Sequence, residues 1–208
     1  MSKISFIYFD VGGVVIQDYS GTNQWDLMQG DLGIADDLKP KFEEIWSEHS
    51  DRHCIDYDIE QMVPILRTRL GLNIPADYSM VQDFVNRYAP NPSIWPAIEY
   101  AHSKYKTGLL TNMYPKLLAT IYARADLHID YPWDVIVDSS KVKANKPDPK
   151  IFEIAESKVT CPPSEILFVE NTQKHVDVAK SRGWQTFLFD HKNPSRSSQD
   201  LYATIQAC

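Results

Sequence analysis

Five short apolar runs decide what this 208-residue chain can become: Ser5–Asp10, Thr107–Thr111, Val135–Asp138, Ile166–Glu170 and Thr186–Asp190. Each is four to six residues long, rich in β-branched or aromatic side chains, and apolar almost throughout rather than at alternate positions. A strand with one wet face alternates, whereas a strand covered on both faces does not. The runs therefore predict buried strands of a parallel sheet, and the helix-like segments between the last four supply its two covering layers. The fold class expected is α/β, a doubly wound parallel sheet.

Between Asp18 and about Tyr88 the pattern changes to longer segments with helical spacing, such as Leu38–Arg52 and Ile59–Leu70. This predicts a helical insert over residues 17–88 in a core formed by residues 1–16 and 89–208. Pro40 suits the start of the first helix, and Pro64 is expected to kink or shorten the second. Trp25, Trp46, Tyr57 and Tyr78 read as the apolar core of the insert. His49 and His53, four apart in the first helix, would share one face, either as solvated residues or as a metal pair or substitute acid.

The 21 Lys+Arg stand against 28 Asp+Glu, a net charge of −7, and no basic run appears, so a nucleic-acid partner is not expected. The longest apolar stretch, Ile4 to Ile16, is interrupted by Asp10 and followed by no cleavage pattern. Neither a signal peptide nor a membrane span fits, and a cytoplasmic location is expected. Cys54, Cys161 and Cys208 are scattered and lack C-x-x-C spacing, which predicts neither a disulfide framework nor a zinc site.

Polar residues gather where the runs stop. Asp10 closes the first, Thr111 and Asn112 the second, Asp138 to Ser140 the third, and Glu170 and Asn171 the fourth. Open α/β sheets bind ligands in the crevice at these carboxyl ends, although each residue type also caps helices.

These strand-end words resemble the haloacid dehalogenase superfamily, aspartyl-nucleophile phosphatases and relatives with a Rossmann-like core and an inserted helical cap. Phe9-Asp10-Val11-Gly12-Gly13-Val14-Val15 stands where the family writes F-D-x-D-G-V-L, and Leu110-Thr111-Asn112 where it writes hydrophobic-Ser/Thr-Asn. Lys146-Pro147-Asp148-Pro149-Lys150-Ile151-Phe152 is close to its K-P-D-P-x-I-F. Phe168-Val169-Glu170-Asn171, followed by Val176, Ala179 and Gly183, is similar to its last motif. The likeness covers the chain outside the insert.

The resemblance implies Mg²⁺-dependent hydrolysis of a small phosphorylated metabolite through an aspartyl-phosphate. Asp10 would be the nucleophile, rigidly aimed from a strand end. The Thr111 hydroxyl and the Asn112 N–H, with Gly12 beside them, would hold the phosphate. Lys146, expected at the rim of the site, would supply positive charge. Asp10, the Gly12 carbonyl and Glu170 would hold Mg²⁺. Two departures stand out. Gly12 occupies the place of the family's second acid, so proton transfer worth about 10²–10⁴ in rate is missing and activity should be reduced or altered. An aspartate placed at residue 12 is predicted to restore it. Glu170-Asn171 replaces a pair of acids, and His175 falls where the family often has Asn, as a helix-surface residue. A non-catalytic binding or regulatory protein is the alternative. A metal-free dehalogenase is a weaker one, since those relatives carry Tyr two residues past the nucleophile and no acid where Glu170 stands.

Overall fold

The computed structural model describes residues 3–208, so the first two residues of the predicted core span lie outside the described residues. Strands β1 (Phe6–Phe9), β4 (Lys106–Thr111), β5 (Val135–Asp138), β6 (Ile166–Glu170) and β7 (Gln185–Leu188) form one sheet in the order β5-β4-β1-β6-β7. All four of its pairings are parallel, with β1 central between β4 and β6.

The alternation along β1 shows why these runs carry no wet face. Phe6 and Tyr8 pack with Leu110, Phe168 and, from the helices of that side, Phe152 and Ala179. Ile7 and Phe9 point the other way, into a second cluster with Leu109, Val169, Ile98 and Leu201. The first layer is α8 (Pro149–Ser157) and α9 (Gln173–Ser181); the second holds α5 (Trp95–Lys104) and α10 (Pro194–Gln206). With both faces covered, the sheet is doubly wound as the runs require. Asp10, Thr111, Asp138 and Glu170 all fall at its carboxyl edge.

Two strands too short to read from sequence, β2 (Ile16–Gln17) and β3 (Ala89–Pro90), pair antiparallel and bring the two crossing segments together. Between them run α1 (Gln24–Asp31), α2 (Lys39–Ser47), α3 (Met62–Leu70) and α4 (Met80–Asn86). Trp25 and Trp46 meet with ring centroids 4.8 Å apart and pack on Phe42 and Phe84. Pro64 lies in the first turn of α3, where a missing N–H costs nothing, and a 3₁₀ turn over Ile59–Gln61 precedes it. The helix predicted to continue to Arg52 instead stops at Ser47. Ser47 Oγ donates back to the Glu44 carbonyl, and Ser, His and Asp, all weak helix formers, follow. His49 and His53 therefore share no helix face. His49 stacks on Tyr57 at 4.5 Å, and His53 packs between Trp46 and Tyr114.

Candidate active site

Asp10 lies one residue past β1, tied to the sheet by its N–H, which donates to the Val169 carbonyl at 2.9 Å. Its Oδ1 accepts from the Val11 N–H at 2.8 Å and pairs with Lys146 Nζ at 2.9 Å. Among the described residues Oδ2 has no partner, and Asp10 lines a cleft at this edge of the sheet. One oxygen is locked and the other left for a ligand.

Lys146 reaches this point from the loop ahead of α8, held by the Asn112 side chain. Asn112 Nδ2 donates to the Lys146 carbonyl at 2.9 Å, and the Lys146 N–H donates to Asn112 Oδ1 at 2.8 Å. The ammonium donates to the Leu110 carbonyl at 3.0 Å and to Glu170 Oε2 at 2.6 Å, and it pairs with Asp10 Oδ1 at 2.9 Å. Its side chain is fully buried, so the expected place at the rim is corrected. Burial alone pulls the Lys146 pKa down, but Asp10 and Glu170 outweigh it and hold the ammonium charged. The Asn112 side chain thus clamps the lysine backbone.

Glu170 closes β6 with no exposure. Its Oε1 accepts from the N–H groups of Asn171 and Thr172, both at 2.9 Å. Oε2 takes Lys146 Nζ, and His175 Nδ1 stands 3.1 Å from the same oxygen, within ion-pair reach but off the hydrogen-bonding direction. Burial pushes Glu170 up, yet Lys146 and His175 override it and keep the group well below the usual carboxylate range. Burial also pushes Asp10 up, to about 7, with the Glu170 charge adding to it and Lys146 opposing. His175, expected on a helix surface, is buried, and burial holds its pKa below the ordinary value.

This arrangement does not fit the implied Mg²⁺. Both oxygens of Glu170 are engaged, Asn171 is neutral, and an ammonium sits against the carboxylate of Asp10. Of the implied set of Asp10, Gly12 carbonyl and Glu170, the carboxylates offer one free oxygen, Asp10 Oδ2. Among the described residues no group of three or more His, Cys, Asp or Glu side chains converges on a metal position, and no metal ligand is assigned here.

The cleft encloses about 240 Å³, below the usual range for drug-sized ligands and suited to one small metabolite. Asp10, Gly12, Thr111 and Asn171 line its floor, with Asp18 at its side, and Tyr19, Phe84, Tyr88 and Tyr114 form an aromatic wall. Gly13 has φ +73°, and a Cβ there would lie 2.0 Å from Asn171 Nδ2, so only glycine fits. Asp138 does not join the cleft: its Oδ1 accepts from the Ser140 N–H and caps α7 (Ser139–Val142). The turns after α2 rest on the core, where Asn145 Nδ2 donates to the His53 carbonyl at 3.1 Å and Ser139 Oγ to that of Cys54.

An aspartate stands at the end of the first strand of this α/β fold, and the haloacid dehalogenase-like hydrolase profile matches residues 7–183. The chain belongs to that family. A phosphorylated carbohydrates phosphatase of Thermotoga maritima is 24% identical over 170 residues, 73% of this chain and 78% of its own length. Bifunctional epoxide hydrolase 2 of Sus scrofa is 24% identical over 57% of this chain, which spans only 22% of that protein. Among solved structures, a HAD family enzyme of Bacteroides thetaiotaomicron superposes with a TM-score of 0.73 at 16% identity, over 91% of this chain and 95% of its own. It has also been solved as a complex with magnesium and inorganic phosphate. An L-2-haloacid dehalogenase of Xanthobacter autotrophicus, solved with chloropropionic acid covalently bound, gives a TM-score of 0.61 at 18% identity, over 89% and 77%. At these identities the superpositions establish the fold. No helix among the described residues is long and apolar enough to cross a membrane.

Proposed function

We propose that this hydrolase cleaves a small phosphate monoester by transferring the phosphoryl group to Asp10. The observation that carries the reading is the asymmetry of Asp10: Oδ1 is fixed by Lys146 and the Val11 N–H, while Oδ2 is free at the cleft. That is the arrangement of a held and aimed nucleophile. Lys146 opposes the burial and the Glu170 charge that raise the Asp10 carboxyl. Glu170 and the Asn112 amide hold Lys146 in place. Thr111 lines the cleft, and its hydroxyl is the donor for a phosphoryl oxygen in this reading. The helical insert acts as a cap, its Tyr19, Phe84 and Tyr88 joining Tyr114 of the core in a wall that excludes water and limits the leaving group to a small one. The likeness to the Thermotoga phosphatase supports the substrate class.

The charges of Asp10, Glu170 and Lys146 sum to −1 − 1 + 1 = −1, so a phosphate dianion meets net repulsion and turnover is slow. Mg²⁺ enters this reading through the Bacteroides enzyme's complex and is therefore a variable of the assay. Phosphate release from p-nitrophenyl phosphate, with and without added Mg²⁺, is expected from the wild type and absent from Asp10→Asn. Equal rates in the two proteins would refute the reading.

A second reading rests on the same free oxygen. Attack of Asp10 on the carbon of a 2-haloacid needs no divalent ion, and the unmade ligand set favours it. Halide release from 2-chloropropionate without phosphate release would put it first. Silence on both substrates would leave a binding or regulatory protein.

A further inference from the structure

Gly12 and Gly13 are adjacent glycines kept for different reasons. Gly13 needs its positive φ; Gly12 shows none, so its backbone would accept a side chain. What prevents one is Asp18. The three atoms nearest to a Cβ built on Gly12 all belong to that residue: Oδ2 at 2.2 Å, Cγ at 3.0 Å and Cβ at 3.6 Å. A carboxylate from six residues along the chain thus fills the volume that an acid at 12 would occupy. Its oxygen lies no farther from that Cβ position than the acid's own oxygens would.

We propose that Asp18 is the acid–base group of the reaction, standing in for the acid missing at Gly12. The proposal rests on the reading of Asp10 as phosphoryl acceptor. Asp18 lines the same cleft as Asp10 and Thr111. Its Oδ1 is fixed by the Ser20 N–H at 2.8 Å, and the Ser20 side chain also reaches the carboxylate. Both carboxylates are thus anchored by a backbone N–H and line one cleft. Burial pushes the Asp18 carboxyl up and outweighs the Ser20 N–H, the Ser20 side chain, its own backbone and His191, which pull the other way. That favours the protonated form a general acid needs. Lys146, the other charge at the floor, is committed to Asp10 and Glu170.

The proton inventory closes. Asp10 Oδ2 attacks phosphorus; the bond from phosphorus to the leaving oxygen breaks, and that oxygen takes its electron pair and the proton of Asp18. The Asp18 carboxylate next removes a proton from water, whose oxygen attacks the aspartyl-phosphate. The bond between phosphorus and the Asp10 oxygen breaks, returning the Asp10 carboxylate, inorganic phosphate and protonated Asp18.

The test compares wild type, Asp18→Asn, Asp10→Asn and the double variant Gly12→Asp/Asp18→Ser on ethyl phosphate and p-nitrophenyl phosphate. Asparagine keeps the shape and the bond from the Ser20 N–H, and a thermal melt verifies folding. Asp18→Asn should lower kcat on ethyl phosphate by about 10²–10⁴. On p-nitrophenyl phosphate it should release one nitrophenolate per enzyme in a burst and then stall, because the leaving group departs unaided while water attack does not. A merely structural aspartate would give no such split. The double variant should recover at least about tenfold on ethyl phosphate over Asp18→Asn. Ethyl phosphate turnover within about threefold of wild type in Asp18→Asn, with Asp10→Asn inactive, overturns the proposal alone. So does recovery of Asp18→Asn by higher Mg²⁺, which would make Asp18 an ion ligand. Equal activity of Asp10→Asn and wild type removes the phosphatase reading and the proposal with it.

Discussion

Replacing Lys146 by methionine tests the central claim that this residue neutralises two buried carboxylates and is not a rim charge. The substitution keeps length and apolar stem but removes one ammonium and its bonds to Asp10, Glu170 and the Leu110 carbonyl. Removing one member of a buried ion pair costs about 3–5 kcal/mol, because the partner charge stays behind. Here two partners stay behind, so the upper half of that range is expected. In a chain of this length each kcal/mol moves Tm by roughly 2–4 °C, giving a loss of roughly 8–20 °C at pH 8. The sign of the pH effect follows from the same charges. Without the lysine, burial and mutual repulsion raise both carboxyls above their unfolded values. Their contribution to stability is then lost as pH rises, and the deficit against wild type should shrink at pH 5 as protons return. Thermal melts of both proteins at pH 5 and 8, followed by circular dichroism, measure this. A loss under about 2 °C, equal at both pH values, would show that Lys146 neutralises nothing and would refute the argument.

Asp10→Asn should abolish turnover yet raise Tm at pH 8. Its folded pKa is pushed up to about 7, so wild-type stability declines as pH rises from about 4 through 7; the gain of the variant should vanish below pH 4, by thermal melt. Where Asp10 is the nucleophile, kcat/KM for p-nitrophenyl phosphate should rise with pH to a plateau above about 7, and a flat profile from pH 5 to 8 would exclude its titration from the reaction. Gly12→Asp alone should not restore activity as the sequence suggests. Its Cβ would fall 2.2 Å from Asp18 Oδ2, and overpacking with like charge should cost about 1–3 kcal/mol, read as a lower Tm with no gain on ethyl phosphate.

The sequence alone determined the class of sheet and the address of the site. Uniform apolarity in a strand has one physical meaning, coverage on both faces, and a polar residue that ends such a run falls at the sheet's carboxyl edge. Asp10, Thr111 and Glu170 were legible on that ground, and the K-P-D-P word added Lys146. Only tertiary structure decided what each polar atom touches. Local pattern puts Lys146 at a rim and His175 on a surface because it carries no record of what packs from elsewhere, and it cannot show that four groups already surround the oxygens of Glu170. The helix carrying His49 and His53 ended early where weak helix formers met an apolar core to turn toward. Asp18 left no periodic trace at all. Its carboxylate matters because a loop folds back over a residue with no side chain, and the space above Gly12 is a property of three dimensions. Chain order sets which groups exist and which face of a strand they take; desolvation, charge pairing and excluded volume act between residues far apart in sequence, and they settle what those groups do.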